Sequence, residues 1–155
     1  MTEQPTAQPE AQASTAGQAT PSPAVVALVA ALASVLLRLP FASRMPLSWD
    51  GVQYVLGVLH FDLAMHEPHP PGYFLYVRSA RLLHLAGMSP HAALVTVTLL
   101  ATAIMALVMV WWAGRMEGRR AALAGAVLCV FSPLVWSAST DPNTYAVAGM
   151  ASAVV

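Results

Sequence analysis

Residues 92–113, AALVTVTLLATAIMALVMVWWA, limit this chain more than any other feature, because they contain no charged side chain. At about 1.5 Å per residue such a helix reaches roughly 30 Å, the thickness of a bilayer's hydrocarbon core. The rest of the chain has little with which to cover it in water. Hydrophobic residues make up 57% of the sequence and charged residues only 9%, against about a quarter charged in ordinary soluble domains. Lipid is therefore the expected solvent for much of the chain.

Two further runs share this character, Ala24 to about Ala42 and Ala121 to about Ala138. Trp111 and Trp112 close the central run at the depth where aromatic belts form. Arg38 lies near the end of the first run and is expected to snorkel toward an interface. Pro133 sits near the far end of the third. Residues 145–155 begin a fourth run but are shorter than the 17–25 or so needed to cross, so the chain is expected to be the N-terminal part of a longer protein. The fold class expected is an all-α integral membrane protein. It would have three full transmembrane helices (about 24–42, 92–113 and 121–138), the start of a fourth at 145–155, and a long loop at 43–91. Residues 1–23 are Ala, Gln, Thr and Pro with almost nothing to bury, and are expected to form a disordered tail. They carry no Arg or Lys, a poor start for a cleaved signal peptide. Net charge is zero, with no basic run, which argues against a nucleic-acid partner.

Orientation follows from arginine. The link GRMEGRR holds Arg115, Arg119 and Arg120, and short arginine-rich links stay cytoplasmic. The tail is then cytoplasmic, loop 43–91 and the link holding Asp141 are extracytoplasmic, and the chain is a multi-pass protein of the cell (plasma or inner) membrane. Residues 73–87, YFLYVRSARLLHLAG, could instead be read as a span, which would reverse this order. Arg78, Arg81 and His84 recur at spacing three, however, and two arginines at mid-depth are costly in lipid. An amphipathic helix lying in the interface plane fits better.

The loop concentrates the polar chemistry. Trp49-Asp50-Gly51 puts a carboxylate just past the first span. Asp62, His66, Glu67 and His69 follow, then Pro70-Pro71-Gly72-Tyr73. The prolines stiffen the backbone and bias His69 away from helix. An Asp shortly after the first span, an H-P-P-G-Y segment opening an amphipathic helix, the run GRMEGRRAALAGAVLCVFSPLVW and then Asp141-Pro142-Asn143-Thr144-Tyr145 together resemble the GT-C glycosyltransferases. The nearer likeness is to the branch with protein O-mannosyltransferases and lipid A aminoarabinose transferases, and it covers roughly residues 45–150. It implies an inverting transferase that moves a sugar from a polyprenyl-phosphate donor to an acceptor on the extracytoplasmic face. The acceptor stays unspecified, and membrane lipids are the surrounding partner. Asp50 matches the family's first-loop Asp, proposed there as the base that takes the acceptor's proton. Asp141 would be a second acidic contact. His69, Arg78 and Arg81, with Tyr73 beside them, would meet the donor phosphate, and Asp62, His66, Glu67 and Tyr145 are the remaining candidates. The family's phosphate contacts lie partly in later helices, so activity of these residues alone does not follow.

Plainer readings stand beside these. Asp50 can be a solvated loop carboxylate or the partner of Arg44, and Asp-Pro-Asn is an ordinary turn sequence. His60, Asp62, His66, Glu67 and His69 are residue types that bind a divalent metal, the one cofactor they would allow, but they match no defined ligand spacing. Cys129 and the methionines of the spans are packing residues. The chief rival function is a small non-enzymatic membrane subunit or scaffold whose loop binds a partner. A channel or transporter would normally place ionisable residues inside its spans, and the second and third have none.

Overall fold

The computed structural model describes residues 21–155. The expected tail lies outside them except for its last residues, where Pro23 already opens the first helix. Among the described residues the chain is all helical. The helices are α1 (Pro23–Arg38), α2 (Trp49–Leu59), α3 (Phe74–Leu85), α4 (Pro90–Met116), α5 (Arg119–Phe131), α6 (Pro133–Thr140) and α7 (Tyr145–Val154).

Local sequence sets most of the starts. Ser22 and Ser89 each precede a proline at the first helical position, and their hydroxyls accept from Val25 N and Ala92 N. That pairing satisfies an orphan N–H and presets φ for the first turn. Ser48 caps α2 in the same way, accepting from Gly51 N at 3.1 Å. Gly118, at φ +81°, lets the chain reverse between α4 and α5, a conformation that costs a residue with a Cβ more than glycine.

Two helical segments are long and apolar enough to cross a membrane, Pro23–Phe41 (α1 with the 3₁₀ turn that follows it) and α4. These match the first two expected spans closely. The third is not one straight helix: α5 and α6 meet at a 49° bend and make a third span only when taken as a pair. Pro133 is the cause. It has no N–H to give the Cys129 carbonyl, and it biases Ser132 to extended backbone, seen here at ψ 123°. The short fourth run is α7.

Packing is inverted relative to a water-soluble bundle. Along α1 most buried positions are small (Ala27, Ala30, Ala31 and Ser34, beside Val26 and Arg38), while Leu32 and Leu36 are 54% and 65% exposed. Small residues let helix backbones approach closely where lipid removes any gain from burying leucine. Near the arginine-rich link, a Cβ on Gly114 would come within 2.7 Å of Pro23 Cβ and 3.0 Å of Ala122 Cβ. There α1, α4 and α5 are as close as backbones allow.

The buried residues form two clusters along α4. One joins α1, α4 and α5 through Ala27, Ala30, Ala106, Val110, Ala122 and Val130. The other, at the opposite end, joins α2, α3 and the first turns of α4 through Tyr54, Val58, Tyr76, Val77, Ala80 and Leu94. Tyr76 ties this end together, its hydroxyl 3.0 Å from Thr98 Oγ1. With 27 residues, α4 is about 40 Å long, roughly 10 Å more than a hydrocarbon core. The α2–α3 layer packs on that end.

Arg38 departs from expectation. It does not snorkel; it is fully buried. Side chains on a helix point back toward its N-terminus, which aims Arg38 into the bundle, and its Nη1 donates to Ser34 O one turn back at 3.0 Å.

Candidate functional site

Three stretches far apart in sequence meet at the α2–α3 end: the first turn of α2, residues 69–73 and residues 141–145. Asp50 lies in the first turn of α2 and is exposed. There the helix dipole favours its charge. Its neighbour Gly51 faces the third stretch closely enough that a Cβ would sit 3.6 Å from Pro142 O. One turn along, Tyr54 is buried, with the Thr144 side chain, Asp50, Tyr73 and Tyr145 all near enough to act on its charge.

Around Tyr54 the rings of Tyr73 and Tyr76 pack edge to face, and the His69 imidazole is tilted against it. The Tyr54 centroid is 5.5 Å from that of His69, 5.7 Å from Tyr73 and 5.3 Å from Tyr76. The turn that presents His69 is closed by Gly72 N donating to His69 O at 2.9 Å. Gly72 has φ +86°, so the backbone requires glycine; a Cβ there would also have to displace the exposed Leu63 side-chain tip, 2.7 Å away. His69 is half-buried, and its Nδ1 is buried without a hydrogen-bond partner. Burial pushes the Tyr54 phenol up to about 12, with the Thr144 side chain opposing and Tyr73, Asp50 and Tyr145 adding to the rise. Burial raises Tyr76 in the same direction.

A pH dependence follows. In the unfolded chain a tyrosine ionises near 10, whereas folded Tyr54 holds its proton to about 12. Across that window the folded state binds more protons, so stability falls as pH rises from about 10 to 12. Thermal unfolding in detergent should show the fall, and Tyr54→Phe should reduce it. A curve that Tyr54→Phe leaves unchanged would count against a buried phenol here.

Asp141 has a different setting from Asp50. It is half-buried, and its Oδ1 accepts from Ser43 Oγ at 2.9 Å and from Leu47 N at 3.2 Å. Ser43 N also donates to Thr140 O at 2.7 Å. On the other side of Ser43, His91 Nε2 lies 2.8 Å from the Ser43 carbonyl and 3.3 Å from its hydroxyl. A carbonyl only accepts, so Nε2 carries the proton and the serine hydroxyl gives its own to Asp141. A hydrolase triad needs the reverse, a histidine nitrogen that takes the serine's proton. The group is a latch that fastens the end of α6 to the exit of α1.

The other candidates separate. Asp62 and Glu67 pair through their backbones at 2.7 and 2.8 Å, and Asp62 Oδ1 turns back to Ala64 N at 2.9 Å. They close a tight turn, with His66 exposed at its tip. The buried Gln53 amide lies between Trp49 Nε1 and the His66 carbonyl, and it bridges them when its nitrogen faces the carbonyl. Among the described residues no group of three or more His, Cys, Asp or Glu is arranged for a metal ion, so the loop's histidines and carboxylates are not gathered as ligands.

Arg78 and Arg81 do not join Asp50. Tyr76, Val77 and Ala80 take the inward face of α3, which turns Arg78 outward over the Phe74 ring at 5.7 Å. Arg81 reaches Leu59 O at 3.4 Å, at the far end of α2 from Asp50 and roughly 13 Å along its axis. Tyr145 is exposed beside the 141–144 turn.

Tyr54, Thr144, Ser43 and His91 were not among the sequence candidates. Tyr54 had a signal, since it follows Asp50 by one helical turn. Ser43 and His91 had none, being 48 residues apart. An apolar cavity of about 320 Å³ adjoins the site, running from Tyr73 and Thr144 along Val147, Ala148 and Ala151 of α7. Compared with known proteins, the chain matches no family model, no curated protein and no solved structure.

Proposed function

We propose that this chain is a membrane glycosyltransferase that uses a polyprenyl-phosphate sugar donor on the extracytoplasmic side. The observation that carries the reading is the convergence at one end of the bundle. There an exposed carboxylate on a helix N-terminus, a half-buried imidazole and an apolar groove along α7 lie together. The acceptor hydroxyl would lose its proton to Asp50 as its oxygen bonds the anomeric carbon, and the bond from that carbon to the phosphate oxygen would break with inversion. A positioned carboxylate compensates for the weak nucleophilicity of a hydroxyl. His69, with Tyr73 beside it, is the group available to the departing phosphate, and the groove takes the isoprenoid chain.

In this reading α3 lies in the interface, its outward face of Leu75, Leu82 and Leu85 against lipid and Arg78 at the head groups. The arginine-rich link faces the cytoplasm. One observation favours the rival, a non-enzymatic subunit: the Asp141 carboxylate is taken up by Ser43 and Leu47, and neither Arg78 nor Arg81 approaches Asp50.

The experiment is photolabelling in nanodiscs with a polyprenyl phosphate carrying a photoreactive isoprenoid unit. Labelling should concentrate on residues 144–154 and exceed that by a photoreactive phospholipid of similar length. Equal labelling by both lipids would remove the donor-binding reading and leave the subunit in its place.

A further inference from the structure

Arg38 is a fully buried cation in the first membrane-spanning helix, and the functional reading above makes no use of it. Its Nη2 donates to Cys129 O at 2.8 Å and to Val130 O at 3.0 Å. These two carbonyls belong to the last turn of α5. In a continuous helix Cys129 O would accept from the N–H of residue 133, which is proline and has none. Val130 O would accept from Leu134 N, which lies beyond the bend in α6. The guanidinium therefore stands where the missing helical donors would be. It lies at the negative end of the α5 dipole, where a cation is favoured. On the far side of the break its Cζ sits 5.0 Å from the centroid of the Trp136 ring in α6, so one side chain touches both halves of the bent span.

We propose that Arg38 is a positioning residue: it replaces the hydrogen bond that Pro133 abolishes and thereby fixes the direction of α6, which delivers Asp141 to Ser43 and Leu47. An arginine suits this task because its planar fork reaches several acceptors at once and keeps its charge. Without the fork, the carbonyls of Cys129 and Val130 would be unsatisfied in a setting with no water to take its place. The residues that end the bent span then lose a fixed direction, and the latch at its tip loosens. The proposal does not depend on the transferase reading, because it concerns only how the 141–145 turn is placed.

The test uses the whole chain in nanodiscs with Cys129 replaced by alanine, which leaves its carbonyl in place. Spin labels at Met45 and Tyr145, both exposed, flank the latch. A single narrow distance distribution is expected in the parent, and a broadened, shifted one in Arg38→Met, together with a lower unfolding temperature. Adding Pro133→Ala to Arg38→Met restores an N–H that can bond Cys129 O and straighten the span. The double variant should recover unfolding temperature while the label distance stays displaced. A residue that only filled space would give no such split. A narrow, unshifted distribution in Arg38→Met overturns the proposal. If Arg38→Met does not fold, the double variant decides, since its failure to fold as well would mean that the missing donor is not what Arg38 supplies.

Discussion

Replacing Asp50 by asparagine is expected to lower sugar transfer by about 10²–10⁴-fold, the usual contribution of a positioned general base. That range corresponds to roughly 3–5 kcal/mol in the barrier. The substitution keeps shape and removes only the capacity to take a proton. Asp50 is exposed in the first turn of α2, so folding should barely register the change. Loss of a favourable charge at a helix N-terminus costs about 0.3–1 kcal/mol. The measurement is transfer by the native protein in membranes, from a polyprenyl-phosphate sugar at saturating donor, with expression and unfolding temperature followed in parallel. A large fall in rate beside near-constant stability identifies the base. Undiminished transfer would exclude Asp50 from the chemistry.

The second large effect concerns Asp141 and has the opposite signature. Asp141→Ala removes the acceptor for Ser43 Oγ and Leu47 N. Hydrogen bonds to a charged group contribute about 1.5–3 kcal/mol each, so a stability loss of at least the lower figure is expected. Asp141→Asn keeps one oxygen to accept and should lose less. Ser43→Ala cuts one strand of the same network, so its effect should be non-additive with Asp141→Ala, as is usual for residues in direct contact. Thermal unfolding of the parent, the three single variants and the Ser43→Ala/Asp141→Ala double variant in one detergent measures this. If Asp141→Ala left stability untouched while abolishing transfer, the carboxylate would be acting on substrate and not as a latch. Its two protein donors make the latch the expected result.

These two carboxylates illustrate what a sequence can say about a membrane protein. That they lie at the same end was legible, because counting apolar runs and locating the arginines fixes which links share a side. Their different roles were not, because role depends on partners. Asp50 has solvent, whereas Asp141 has a serine 98 positions earlier in the chain. The arginines of the loop show the same limit. Their spacing correctly marked α3 as a helix with a polar stripe, but the groups that fill its inward face decided that Arg78 and Arg81 would face away from Asp50.

The first two spans came from sequence because they answer to local rules. Lipid requires long apolar runs, serine followed by proline starts a helix, and glycine permits the reversal at residue 118. Pro133 was visible near the far end of the third run, but not the bend it makes or the means of supporting it. That support is Arg38, whose acceptors lie 91 and 92 residues away. From the sequence it had every reason to seek the interface. Only the packed bundle places unsatisfied carbonyls within reach, and a buried cation stays where carbonyls and a helix end offset its lost hydration. Local solvation preferences were thus written in the order of residues. The latch, the bend and the gathering of Asp50, Tyr54 and His69 were decided by tertiary structure, because each depends on a contact that exists only after distant helices have packed.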